Sequence, residues 1–127
     1  MKLFFCHLLF LILIYFSPNL FPQNSNSTNL KTEALQLINS GRYGEAIDIL
    51  NKYVSANPNS ADGFNLRGMC YEKRGNYEYA IYDYRTAKKI NPNDDEISSN
   101  LNRATSDWYK LLYNKIEAVS YTHLRAH

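Results

Sequence analysis

The stretch ADGFNLRGMCYEKRGNYEYAIYDYRTAKKINPND, residues 61–94, decides how the rest of the chain is read. Displaced by 34 residues, it falls on STNLKTEALQLINSGRYGEAIDILNKYVSANPNS, residues 27–60, with seven identities where about two would arise by chance. The identities form two clusters. Gly41, Tyr43, Ala46 and Ile47 meet Gly75, Tyr77, Ala80 and Ile81, and Asn57-Pro58-Asn59 meets Asn91-Pro92-Asn93. Gly41 and Gly75 each close a helical pattern as left-handed caps, where a side chain would be strained. Each Asn-Pro ends the following pattern, because proline disfavours helix in the residue before it. The spacing therefore predicts two copies of one unit: helix, tight turn, helix, loop.

The apolar periodicity agrees. Leu30, Ala34, Leu37 and Ile38 share one helical face, continued by Phe64, Gly68 and Tyr71 in the second copy. The second helices carry Tyr43, Ala46, Ile47, Leu50 and Tyr53, matched by Tyr77, Ala80, Ile81, Tyr84 and Ala87. Small residues recur where helices must approach closely, at Ala34 and Gly68 and at Ala46 and Ala80. Lys73-Arg74 and Lys88-Lys89 sit at helix C-termini, where positive charge opposes the helix dipole.

Residues 61–94 resemble the tetratricopeptide repeat family, whose pattern is an early tryptophan, Leu-Gly, a tyrosine, an alanine, an aromatic and a closing proline. Phe64, Gly68, Tyr71, Ala80, Tyr84, Ala87 and Pro92 stand at those positions, with Arg67 where leucine is usual, a departure expected to weaken the buried face slightly. Residues 27–60 match more loosely: Leu30 replaces the aromatic, Glu33-Ala34 replaces Leu-Gly, and Pro58 closes the unit. The resemblance implies an all-α solenoid of two repeats.

Beyond the second copy the turn glycine is missing, and Ile97, Leu101, Ala104, Trp108, Leu111, Leu112 and Ile116 make one long amphipathic stripe. It predicts a single capping helix over 94–117, with Asn93 as N-cap and Asp94-Asp95-Glu96 in the first turn. Residues 118–127 break the stripe. Val119–His127 reads as the translation of a sequencing-adapter junction, so this tail is expected to be non-native and the natural chain to continue past about Glu117.

At the other end, Lys2 precedes the apolar run Leu3–Phe16, whose fourteen residues span about 21 Å as a helix, short of a bilayer's hydrocarbon core. This predicts a signal peptide over 1–22, or an uncleaved anchor, and an exported product. Residues 23–29, polar and without apolar period, are expected to form a linker.

Composition then narrows the function. The chain has 127 residues and a formal net charge of +2, but setting aside Lys2 and Arg125 leaves twelve basic and twelve acidic residues. Such neutrality gives no reason to expect nucleic acid as a partner. With Cys6 and His7 in the leader and His123 and His127 in the tail, the repeats hold Cys70 alone and no histidine. A disulfide, a Cys/His zinc site and nucleophile–histidine catalysis are thereby excluded there, and no cofactor is expected. Asp94-Asp95-Glu96 is explained by the helix dipole, and Tyr79 and Tyr82 by a solvated face.

The resemblance implies that the first helices line a concave groove that accepts a peptide or protein segment. Its lining would be Lys31, Leu35, Ile38, Asn65, Met69, Glu72 and Arg103. Some relatives clamp a C-terminal carboxylate with a basic-and-asparagine set; here Lys31 fits, but Leu35 and Glu96 do not, which disfavours a chaperone-tail receptor. Leu35, Ile38 and Met69 make an apolar strip suited to an extended or helical segment, or to packing against the preceding linker. The sequence thus points to an exported, non-enzymatic scaffold with a protein or peptide partner, and with a membrane only if the leader stays uncleaved. The alternative is the interaction region of a larger secreted enzyme or ligand-binding protein.

Overall fold

The computed structural model describes residues 23–125, so the signal or anchor expected over 1–22 lies outside the described residues. These fold into five helices with no strand among them: α1 (Gln23–Asn39), α2 (Tyr43–Ala56), α3 (Ala61–Lys73), α4 (Tyr77–Ile90) and α5 (Asp95–Arg125). Each helix packs on the next, and α5 also touches α3. The result is the all-α solenoid expected from the repeat.

Both tight turns close identically. Gly41 and Gly75 have φ of 71° and 76°. The Gly41 and Arg42 amides donate to the Ile38 and Leu37 carbonyls, and the Gly75 and Asn76 amides to those of Glu72 and Tyr71. This crossed pair of bonds satisfies carbonyls that a helix end leaves orphaned. The Asn-Pro loops also end helices: Asn57 and Asn91 donate their amides to Tyr53 and Ala87. Ser60 then caps α3, its Oγ accepting from the Gly63 amide at 3.1 Å.

Three boundaries differ from expectation. Residues 23–29 are not a linker but the first turns of α1. Gln23 to Ser40 contains neither glycine nor proline. Once the packed part of α1 supplies the nucleus, each added residue gains a backbone bond, which outweighs the few tenths of a kcal/mol by which Asn and Ser resist helix. The same reasoning applies at the far end, where no Gly or Pro interrupts 95–125 and α5 runs on through residues 118–125, although those described side chains are exposed. Finally, Asp94 and not Asn93 caps α5: its Oδ1 accepts the Ile97 amide at 3.1 Å.

The core forms two linked clusters. Ala34, Ala46, Ile47, Leu50, Leu66 and Cys70 fill the first, Ala80, Ile81, Tyr84 and Ala104 the second, and half-buried Tyr71 packs against both. The close approach inside the second repeat depends on Gly68. A Cβ there would lie 2.9 Å from the Tyr84 ring and 3.2 Å from the Ala80 carbonyl oxygen. Tyr84 is fully buried and cannot retreat.

Candidate functional site

The first helices α1, α3 and α5 lie side by side and are stitched by polar contacts at a regular spacing. Lys31 pairs with Asp62, Asn65 with Glu96, and Glu72 with Arg103, each pair 31 residues apart. Adding the repeat length of 34 to Lys31–Asp62 yields Asn65–Glu96. The two seams are therefore the same contact, made once by an ion pair and once by an amide and a carboxylate.

The residues expected to line the groove divide between this stitching and the strip it frames. The Asp62 carboxylate bonded to Lys31 raises the ammonium's pKa above its ordinary value. Asn65 is buried. Its Nδ2 donates to Glu96 Oε1 at 3.3 Å while its Oδ1 accepts from buried Asn100 Nδ2 at 3.0 Å. Glu72 accepts from Arg103 Nε and Nη2 at 2.8 and 3.0 Å and from the Tyr84 hydroxyl at 2.7 Å. Burial pushes the Glu72 carboxyl up, but the bonds from Arg103 and Tyr84 prevail and hold it below the usual carboxylate range. Burial and the bond to Glu72 in turn raise the Tyr84 phenol. Lys31, Asn65, Glu72 and Arg103 are thus engaged as partners of one another or of neighbours.

Leu35, Ile38 and Met69 remain as the apolar strip. Ile38 and Met69 pack half-buried on the first core cluster, while Leu35 is the only large aliphatic side chain of residues 27–94 left exposed. Sequence reasoning missed Asp62 and Asn100. A 31-residue offset from Lys31 leads to the first. A polar residue inside the stripe between Ile97 and Leu101 marks the second.

On the side of α3 facing α2 and α4, Arg67 does not weaken the fold in the way expected. Its Nε and Nη2 donate to both carboxylate oxygens of Asp83 at 2.8 and 2.7 Å, and Nη1 donates to Asn51 at 2.8 Å. The guanidinium also lies 5.5 Å from the centre of the Phe64 ring. Asp83 is 1% exposed. Burial raises its carboxyl against the pull of Arg67. Tyr71, Tyr79 and Tyr82 flank this pair around a hollow of about 400 Å³. The Tyr71 and Tyr79 rings stack at 5.2 Å. Cys70 is buried, and desolvation lifts its thiol to about 11, which leaves it unreactive at neutral pH. Among the described residues, no three Asp, Glu, Cys or His side chains gather as a metal site.

Comparison with known proteins places this geometry. The tetratricopeptide repeat family profile matches residues 61–94, and a second profile of that family matches residues 34–60. The second TPR of Spaghetti (RPAP3), solved with the HSP90 peptide SRMEEVD, superposes with a TM-score of 0.65 at 22% identity, covering 72% of this chain and 84% of that one. The Sgt2 TPR domain from Aspergillus fumigatus gives 0.66 at 24% identity, covering 74% and 62%. At such identities the likeness concerns the fold.

Relatives similar in sequence include two curated proteins. A DnaJ homolog subfamily C member 7 homolog of Dictyostelium discoideum is 30% identical over 98 residues, 71% of this chain and 18% of its own length. The small glutamine-rich tetratricopeptide repeat-containing protein 2 of Mycosarcoma maydis is 31% identical over 80 residues, 63% of this chain and 23% of its own. The chain therefore spans about a fifth of the length of these curated relatives.

They overturn the expectation of export, because they are cytosolic co-chaperone-type proteins. That expectation rested on Lys2, a fourteen-residue apolar run and the polar stretch after it, and the first two lie outside the described residues. No helix among the described residues is long and apolar enough to cross a membrane. The turns, the close contact at Gly68, the paired seams and the matched profiles agree: the chain belongs to the tetratricopeptide repeat family.

Proposed function

We propose that the face shared by α1, α3 and α5 binds an extended segment of a partner protein, and that the chain is a non-enzymatic interaction module. The observation that carries this reading is the apolar strip of exposed Leu35 with half-buried Ile38 and Met69, on the helices that carry the Lys31–Asp62 and Glu72–Arg103 pairs. Exposed apolar surface framed by ordered polar groups gives a segment both burial for its side chains and partners for its backbone. The RPAP3 repeat solved with an HSP90 peptide supports the mode of use. Peptides selected from a random display library against the full chain test it. Leu35→Arg and Met69→Arg, each with unchanged helicity, are expected to abolish their binding. Selected peptides that bind both variants as tightly as the parent would refute it.

A second reading, that these repeats serve as the interaction part of a longer protein with another domain, is favoured by the length of the relatives. Reading the gene through the codon for Ala118 from source DNA tests it. A frame that departs from Val119 onward into a further domain supports this reading, and a frame that ends at His127 removes it.

A further inference from the structure

Resting on that groove reading, we infer that the bound segment carries a lysine or arginine beside its apolar side chains, that Glu96 receives it, and that segments ending in acidic residues are rejected. The two equivalent seams carry the argument. In the first, the Lys31 ammonium is neutralised by Asp62. In the second, the position of Lys31 is taken by Asn65, so Glu96 has only a neutral amide beside it. Among the described residues none donates to its Oε2, and the side chain is exposed.

The amide of Asn65 is fixed in direction. The Glu96 carboxylate can only accept, so Asn65 Nδ2 faces it and Asn65 Oδ1 is left to accept from Asn100 Nδ2. Asn65 and Asn100 are both buried, and this chain of donors ends on an acceptor. The face therefore offers a carboxylate where a clamp for a carboxylate would need a donor. With Arg103 held by Glu72 and Lys31 by Asp62, it presents no unpaired cation from the expected lining. Glu96, in the first turn of α5 next to exposed Asp95, has the helix dipole but no cationic side chain bonded to it among the described residues, and the complementary segment is apolar and cationic. Asn65 and Asn100 act as positioning residues for that carboxylate.

The test uses the full chain and three labelled ten-residue probes. One is capped at both ends, with two leucines and a central lysine; the second replaces that lysine with glutamate; the third ends in the free acid SRMEEVD. Fluorescence anisotropy at low salt is expected to rank the lysine probe about three- to tenfold tighter than the glutamate probe, with the acidic-ended probe weakest and the gap narrowing as salt is added. Glu96→Gln should erase the gap, and Glu96→Lys should reverse it, both at unchanged helicity. Asn100→Ala should weaken the lysine preference while leaving the affinity of an uncharged leucine probe in place. Equal binding of the lysine and glutamate probes, unaltered by Glu96→Gln, overturns this inference and leaves the groove reading standing. Failure of every probe, including peptides selected by display, removes both.

Discussion

The two repeats solve one packing problem with different side chains. In the second, Gly68 on α3 makes room for the fully buried ring of Tyr84 on α4. A shift of 34 residues puts Ala34 and Leu50 in those places, both fully buried in one cluster. The large partner goes with glycine and the smaller one with alanine, so the space between helices is kept while its contents change. Beside them, Arg67 and Asp83 form a buried ion pair where the first repeat has exposed Glu33 and half-buried Ile49. What recurs is a set of matched pairs, and a pair can change its chemistry only when both members change.

Positions that do not differ between repeats should be least forgiving. Ala46 and Ala80 are fully buried in both. Ala80→Arg would force a long cation into that contact, and the second repeat is expected to lose its helicity in circular dichroism. Retention of the parent melting temperature would contradict the packing described here. Next in size is Arg67→Leu, which installs the usual residue of the family but strands Asp83. A cost of about 3–5 kcal/mol in urea unfolding is expected, because a buried charge loses its partner. Arg67→Leu with Asp83→Ile copies an apolar pair and should recover most of that loss. If the double variant is as unstable as the single, the two side chains are not a unit.

Gly68→Ala probes the steric pair. Alanine favours helix by about 1 kcal/mol over glycine, but its Cβ would sit 2.9 Å from the Tyr84 ring, and overpacking of this kind costs about 1–3 kcal/mol. Net destabilisation is expected. Adding Tyr84→Leu, which recreates the Ala34–Leu50 combination, should relieve the clash, less the lost hydroxyl bond to Glu72. A stabilising single substitution would show that the ring has room to move.

How much of this was legible beforehand follows from the same distinction. The turns were, because Gly41, Gly75 and the Asn-Pro pairs act through their own backbone, and local effects survive without knowledge of partners. The small–large contacts were half legible: Gly68 announced a close approach, but its match to Tyr84 needed the fold. The polar stitching was least so. Arg67 looked like a defect because Asp83 lies 16 residues away, and a compensating charge at that distance leaves no periodic trace. Lys31, Glu72 and Arg103 were expected as groove lining, but the pairing of Lys31 with Asp62 and of Glu72 with Arg103, each 31 residues apart, is not visible in the apolar pattern. The ends of α1 and α5 were misjudged because helix continues wherever nothing stops it, and a search for apolar period does not detect that.

The smallest effect sharpens the comparison through pH. Glu72 occupies the place of Ile38 in the first repeat, so one repeat has a titratable group there and the other does not. Burial opposes its ionisation, but Arg103 and Tyr84 hold its carboxyl below the ordinary range. An acid whose pKa is depressed by folding contributes stability above its unfolded pKa and loses it as pH falls through the folded value. Glu72→Gln should therefore cost about 1 kcal/mol near pH 7, the difference between a charge-assisted and a neutral hydrogen bond, and progressively less below pH 4. Urea midpoints of the parent and the variant should converge by pH 3. Ile38→Val, its counterpart in the first repeat, should shift the midpoint by an amount that does not change with pH. A Glu72→Gln difference that persists undiminished at pH 3 would mean that the side chain acts there by packing alone, as Ile38 does.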